Sequence, residues 1–167
     1  MYITLKASSK NESNIKRAFT PFKRFSKLVM EELPEVVEDV VANVIADVFE
    51  FEGPRTEWTA LADYTQAERA RLGYGPRRPI LVREGTYRGA LIDSRSPFYV
   101  SERESTGEGS FIQRIGTTHP LFPFHEEGTR LMPARPATPV GDAFVYEMIV
   151  EHLNEYLDAL MGDMQRG

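Results

Sequence analysis

Residues 33–51 read LPEVVEDVVANVIADVFEF, and their spacing decides the fold class. At about 100° of rotation per residue, Leu33, Val36, Val37, Val40, Val41, Val44, Ile45 and Val48 share one half of a helix. Glu35, Glu38, Asp39, Ala42, Asn43, Ala46 and Glu50 fill the other half, with Asp47 at the edge and Phe49 just past it. An apolar stripe this wide belongs on a core rather than in a narrow coiled-coil seam. So many β-branched residues lower intrinsic helix propensity, so the helix must draw its stability from packing, and a sheet is the expected partner. Pro34 suits the first turn, and Gly53-Pro54 ends the helix. A helix lying on a membrane surface would want Lys and Arg on its polar face. This face is acidic, which sets that reading aside.

Working outward, a chain of 167 residues is expected to form one domain, 1–167, able to bury close to two-thirds of its unfolded surface. There is no cysteine, which excludes disulfides and thiolate metal sites and fits a reducing compartment. No run of about 18 apolar residues is present, so no membrane span is expected. The apolar start Tyr2-Ile3-Thr4-Leu5 is too short for a signal peptide, and export by that route is not expected. The net charge of −5 hides an asymmetry. Between residues 69 and 95 stand seven arginines against Glu84 and Asp93, a local balance of +5, so the remainder sums to −10. Residues 31–52 alone hold eight acids and no base. Such a division reads either as two solvated faces or as surfaces that meet, between copies or with a partner.

Along the chain, Met1–Ala7 alternates as a short first strand, and 8–13 reads as a loose polar segment. Ile15, Phe19, Phe22, Phe25, Leu28, Val29 and Leu33 have helical spacing, interrupted by Pro21, so a helix is expected from about Phe22 that meets the main helix near Pro34, either as a second helix or as one kinked continuous helix. Tyr64–Leu72 reads as a short helix capped by Asp63 or Thr65, with Glu68 in its first turn. Gly73–Pro76 is turn chemistry. Ile80-Leu81-Val82 is a short apolar run, and 85–92 is a helical turn or a strand entry. Pro97–Val100 and Phe111–Gly116 read as strands joined by a loop over 104–110, hence an antiparallel meander. Pro120–Glu127 is a short helix stopped at Gly128, and 130–136 is extended. A final helix is expected over Val140–Met161, with Val145, Met148, Ile149, His152, Leu153, Tyr156 and Leu160 on one face. Glu147, Glu151, Asn154, Glu155 and Asp158 lie on the other, and residues 162–167 are expected to fray. The expected architecture is α+β: an antiparallel sheet of about four to five strands packed by two long amphipathic helices.

Motifs for chemistry are sparse. His125-Glu126 opens like a zinc-protease helix, but Thr129 stands where the second histidine is needed. His152 falls on an apolar face and reads as a core residue. The glycines lack a Lys-Ser/Thr ending for a phosphate loop, and no Gly-x-Ser-x-Gly elbow occurs. No catalytic residue, metal ligand or cofactor is expected. Tyr74 and Tyr87 interleave with the arginines as stacking platforms would in a nucleic-acid-binding module, though the acidic pI near 5.3 argues against one. Trp58 reads as a core plug rather than a partner anchor. Arg135, held between two prolines, could pair with an internal acid or reach a neighbour.

Phe51-Glu52-Gly53-Pro54 with Trp58, Leu61, Thr65 and Arg69 resembles the pattern of the phage virion morphogenesis, or tail-completion, family. So do Pro79-Ile80-Leu81 with Gly85 and Arg88, then His125 and Gly128, then Met132-Pro133-Ala134-Arg135-Pro136. The four pieces stand in the family's order over about residues 33–137. Leu121-Phe122, Tyr87 and Ala137 depart from it. The resemblance implies a sheet flanked by helices and no catalysis. It implies a structural virion protein of a tailed phage that forms a homo-oligomeric ring, usually a hexamer, at the head–tail junction. Its partners would be the connector or head-closure protein and the tail tube or tail terminator. Genomic DNA would pass through the lumen without sequence-specific binding, and no membrane would be involved. The protein would sit in the virion neck or upper tail, after assembly in the host cytoplasm. A tail terminator capping the tube is the near alternative; a nucleic-acid-binding module or a metal-dependent hydrolase are alternatives of another class. The candidate interface is Arg77, Arg78, Arg83, Arg88, Arg95 and Arg135 meeting an acidic surface such as the row Glu147, Glu151 and Glu155.

Overall fold

The computed structural model describes residues 2–7, 31–74, 80–82, 84–107 and 110–166. The loose segment over 8–13 and the helix expected from Phe22 lie outside them. The first strand, β1 (Tyr2–Ala7), precedes the main helix α1 (Leu33–Glu50) and a short helix α2 (Asp63–Arg71). Then come α3 (Thr86–Ile92), the hairpin strands β2 (Tyr99–Gly107) and β3 (Ser110–Thr117), α4 (Phe122–Glu127) and the long α5 (Ala143–Arg166).

The sheet has the order β1-β3-β2, and both pairings are antiparallel. Tyr2 stands opposite Gly116, and Tyr99 opposite Thr117. β3 is the central strand, and its alternation is read directly in burial. Phe111, Gln113, Ile115 and Thr117 are buried, while Ile112, Arg114 and Gly116 are only partly so. The hairpin arms run further than the sequence suggested: β2 continues to Gly107 and β3 resumes at Ser110. Residues 101–106 are exposed on their ladder, so polar side chains cost nothing there.

The expected sheet of four to five strands is corrected to three strands among the described residues. Residues 80–82 form a turn rather than a strand, with Leu81 in the left-handed region at φ 63°. Residues 133–137 have no regular structure and join no ladder, and Pro133 and Pro136 have no N–H to give one. Pro97-Phe98 precedes β2 as a turn.

The layering differs too. α1 packs beside α3 and α5, and it is the short α3 that meets β2 and β3. One hydrophobic cluster joins Val37, Val41, Val44, Ile45, Val48 and Phe49 of α1 to Tyr87 and Leu91 of α3, Ile115 of β3, and Val145 and Ile149 of α5. The valine stripe is buried in this core, but its main partners are the helices α3 and α5 rather than the expected sheet, and Phe49 belongs to the core rather than beyond its edge.

Helix ends refine the sequence reading. α1 closes with Gly53 N–H bonded to Val48 O, 2.9 Å. Gly53 has φ 151°, and a Cβ there would collide with the Thr56 carbonyl, so only glycine makes this exit. α2 begins after Ala62, without a side-chain cap from Asp63 or Thr65. Glu68 lies beyond its first turn and pairs with Arg71 at 2.7 Å. α5 starts at Ala143 rather than Val140. Thr138–Gly141 makes a turn first, and Asp142 Oδ1 accepts the Phe144 N–H at 2.8 Å. α5 runs through Arg166. Among the described residues, no helix is long and apolar enough to cross a membrane.

Candidate functional site: an inner joint and an open groove

Segments far apart in sequence converge where α4 meets the run 133–138. Trp58 follows the α1 exit and is buried edge-on against Phe49, with ring centroids 5.6 Å apart. Its Nε1 donates to Pro136 O at 3.1 Å. Arg135 is only 4% exposed. Its Nε and Nη2 donate to Thr59 O at 3.1 and 3.0 Å, and its backbone N–H donates to His125 O at 2.7 Å. Gly128 ends α4 at φ 73°, and a Cβ there would come within 2.6 Å of Ala134 N. The Glu52 side chain takes the Ile80 N–H at 2.6 Å.

Glu126 is the hub of this joint. It is buried, and its carboxylate accepts four donors. Oε1 takes the Tyr87 hydroxyl at 3.2 Å and Ala137 N–H at 3.1 Å; Oε2 takes Thr138 N–H at 3.2 Å and Thr138 Oγ1 at 2.7 Å. Burial raises its pKa above the usual carboxylate value, and the donors pull it back. Burial also raises the Tyr87 phenol, helped by the Glu126 charge, so it stays protonated and donates.

Two histidine rings contact Tyr87, His125 tilted with centroids 4.5 Å apart and His119 edge-on at 5.4 Å. Burial lowers both, and Arg135 and His119 add to the effect at His125, which falls to about 4. His119 Nδ1 accepts the Leu121 N–H at 3.3 Å, which places its proton on Nε2. His125 Nδ1 is buried without a partner. A carboxylate that already holds four donors is an anchor for three chain segments. It has little capacity left for general acid–base work. The His125-Glu126 pair therefore builds the fold, with its acid turned inward. Among the described residues, no group of three or more metal-ligating side chains occurs.

Beside the joint lies an open groove of about 770 Å³. Tyr87, His125 and Arg135 form part of its wall, and Tyr64, Leu72, Leu121 and Leu131 also line it. Tyr64 is 81% exposed and Leu131 90%. α2, which carries Tyr64, has no buried residue.

The candidates chosen by charge scatter. Arg77, Arg78 and Arg83 lie outside the described residues. Arg88 is partly buried on α3. Arg95 is exposed, but its guanidinium forks onto Asp93 at 2.9 and 3.0 Å, holding that carboxyl below its usual range. Arg135 is engaged by the Thr59 carbonyl inside the chain. Glu147 pairs with Arg55 at 3.0 Å on the surface, and Glu151 and Glu155 stay exposed on α5. Tyr87 is a core residue and no stacking platform. His152 is exposed rather than buried, its Nδ1 2.9 Å from Met148 O.

Charge reasoning missed Tyr64, Leu72, Leu121 and Leu131. Their signal in the sequence is weak: large apolar side chains in segments with no apolar period. Compared with known proteins, the chain matches no family model, no curated protein and no solved structure.

Proposed function

We propose that the chain is a structural tile of a tailed-phage virion, forming a ring at the head–tail junction that completes the tail and joins it to the connector. The observation that carries this reading is where the resembling segments go. The Gly53 exit, Trp58, Ile80, His125 with Gly128, and the Arg135-Pro136 pair are separated by up to 83 residues in the chain. They interlock through the contacts Trp58 to Pro136, Arg135 to Thr59, Arg135 to His125, and Glu52 to Ile80. Four short patterns that could each arise by chance behave as one tertiary unit. The acid of the joint is saturated with donors, which suits a tile. The exposed apolar groove and the exposed acids of α5 supply surfaces through which tiles can associate. DNA would then slide past an acidic lumen without base-specific contact.

The test is two measurements on unmodified material. Light scattering on the purified chain is expected to give one closed oligomer. Mass spectrometry and antibody labelling of purified phage particles are expected to place the chain at the neck. A monomer absent from particles would overturn the proposal.

A further inference from the structure

We infer that the end of the groove walled by His119, His125 and Arg135 is a carboxylate-binding site, and that its ligand is an acidic side chain of a partner polypeptide whose apolar neighbours lie on Leu121 and Leu131. This assignment is independent of the ring reading above.

Arg135 is nearly enclosed, yet its guanidinium is only partly engaged. Nε and Nη2 donate to Thr59 O, and Nη2 also reaches Ala60 O at 3.4 Å. Those carbonyls complete the side of the group that faces the joint. They orient it, but a neutral carbonyl does not cancel its charge. Nη1 carries two further N–H groups and bonds to nothing among the described residues. No carboxylate among the described residues pairs with Arg135, and Arg135 lines the groove. A cation so far withdrawn from water, with donors still unspent, favours an anion beside it.

Two imidazoles stand at the same place. The Arg135 N–H donates to the His125 carbonyl, and both histidine rings contact Tyr87. His119 uses Nδ1 to accept the Leu121 N–H, so its Nε2 is left as a donor. His125 bonds to nothing through either ring nitrogen among the described residues. The lining as a whole is mixed, with Glu68 and Glu84 against Arg69 and Arg135. The acids do not offset this end. Glu68 is forked onto Arg71 at 2.7 and 2.8 Å. The proton affinity of His125 is lowered by burial, Arg135 and His119 and raised by no acid, and that of Arg135 is lowered by burial alone. Since burial keeps both histidines neutral at pH 7, Arg135 supplies one positive charge, which a carboxylate matches. A phosphate dianion would leave one charge unanswered.

The openness of the groove favours a polypeptide over a free small molecule. Small-molecule pockets enclose most of their ligand. Here Tyr64, Leu72, Leu121 and Leu131 line the concavity and are all exposed. Large apolar side chains gathered in this way mark a protein-binding surface.

The test varies the ligand, because Arg135 also holds the fold. The wild-type chain is applied to an array of short acetylated, amidated peptides. Each has one central Glu flanked by residues drawn from Leu, Phe, Tyr and Ala, and each stands beside its Gln twin. The tightest Glu peptides are expected to bind about tenfold to a hundredfold more strongly than their twins in solution. Their NMR titrations are expected to move the Arg135 Nε–H and the rings of His119 and His125. Leu131→Ser, at an exposed position, is expected to weaken both twins alike and keep their ratio. Sodium octanoate, a free carboxylate, is expected to bind more weakly than the Glu peptides. Absence of any bound Glu peptide, twins of equal affinity, or shifts away from these three residues would overturn the carboxylate site. Octanoate binding more tightly than every peptide, or Leu131→Ser without effect, would overturn the polypeptide partner. Each of these outcomes leaves the ring reading to its own two measurements.

Discussion

The joint around Glu126 and the groove beside it share Tyr87, His125 and Arg135 as common wall, yet they are built to opposite rules. In the joint, a carboxylate and a guanidinium are taken out of water and matched to backbone and hydroxyl partners. In the groove, large apolar side chains are left in water and α2 buries nothing. A buried charge is tolerable only when its partners are complete. An exposed apolar patch is tolerable only when it is small or covered. The first region has met its condition within one chain. The second has not, and that contrast locates where association is to be sought.

The largest break in the contrast should come from the hub. Glu126→Ala leaves the Tyr87 hydroxyl, two backbone N–H groups and Thr138 Oγ1 without their acceptor. The expected cost is about 3–5 kcal/mol, read as a fall in the denaturant midpoint. Glu126→Gln is expected to fare little better, since half of its amide is a donor facing donors. A loss under about 1 kcal/mol for either variant would mean that the joint is not held as described.

A smaller effect separates the two histidine-bearing walls by pH. His125 falls from 6.5 to about 4 in the folded chain. Between those values the unfolded chain binds the extra proton, so stability falls as pH drops through that window. Full burial of that shift would cost about 3 kcal/mol, and water at the groove side reduces it to about 1–2 kcal/mol. His125→Phe keeps the ring against Tyr87 and removes the titration. Thermal melts from pH 7 to 4.5 are expected to decline less for the variant than for the wild type. Glu126 acts with the opposite sign. Its pKa is raised, so its contribution is lost as pH rises through the folded value. Identical pH slopes for wild type and variant would show that His125 is freely solvated.

The sequence is legible where one physical rule acts alone. Apolar periodicity is such a rule, and it marks α1, the first half of α5 and the alternation of β3. Tyr2, Ile3 and Leu5 sufficed to mark β1 as a strand. The rule goes silent on solvated ladders. Glu104, Ser105 and Thr106 read as loop because they are polar, yet the backbone pairing that extends β2 asks nothing of side chains facing water. It also goes silent on Leu81, whose left-handed backbone no local pattern announces. Charge is still less informative about a site, because it does not reveal where a partner will fall. Arg95 is matched by Asp93 two residues away. Arg135 is matched by a carbonyl 76 residues away. Both have the same formal charge in a sequence, and only one remains on the surface. The groove was invisible for a related reason. Tyr64 and Leu131 acquire meaning only when α2 and the turn before Pro133 are brought side by side.

The smallest expected effect is the most telling about the groove. At a concentration where the chain is dissociated, Tyr64→Ser with Leu131→Ser is expected to change unfolding free energy by no more than about 0.5 kcal/mol, the range for exposed positions without special contacts. The same pair would cost more if α2 were docked on its own core. Hydrogen exchange then distinguishes the states of α2. Its amides are expected to exchange close to the rate of an open helix in the dissociated chain, since no apolar burial holds them. In the assembly they are expected to be protected, because a neighbour at the groove would cover Tyr64 and Leu72. Protection that is equal in monomer and assembly would mean that α2 is stabilised within the chain, and the contrast between the saturated joint and the uncovered groove would lose its second half.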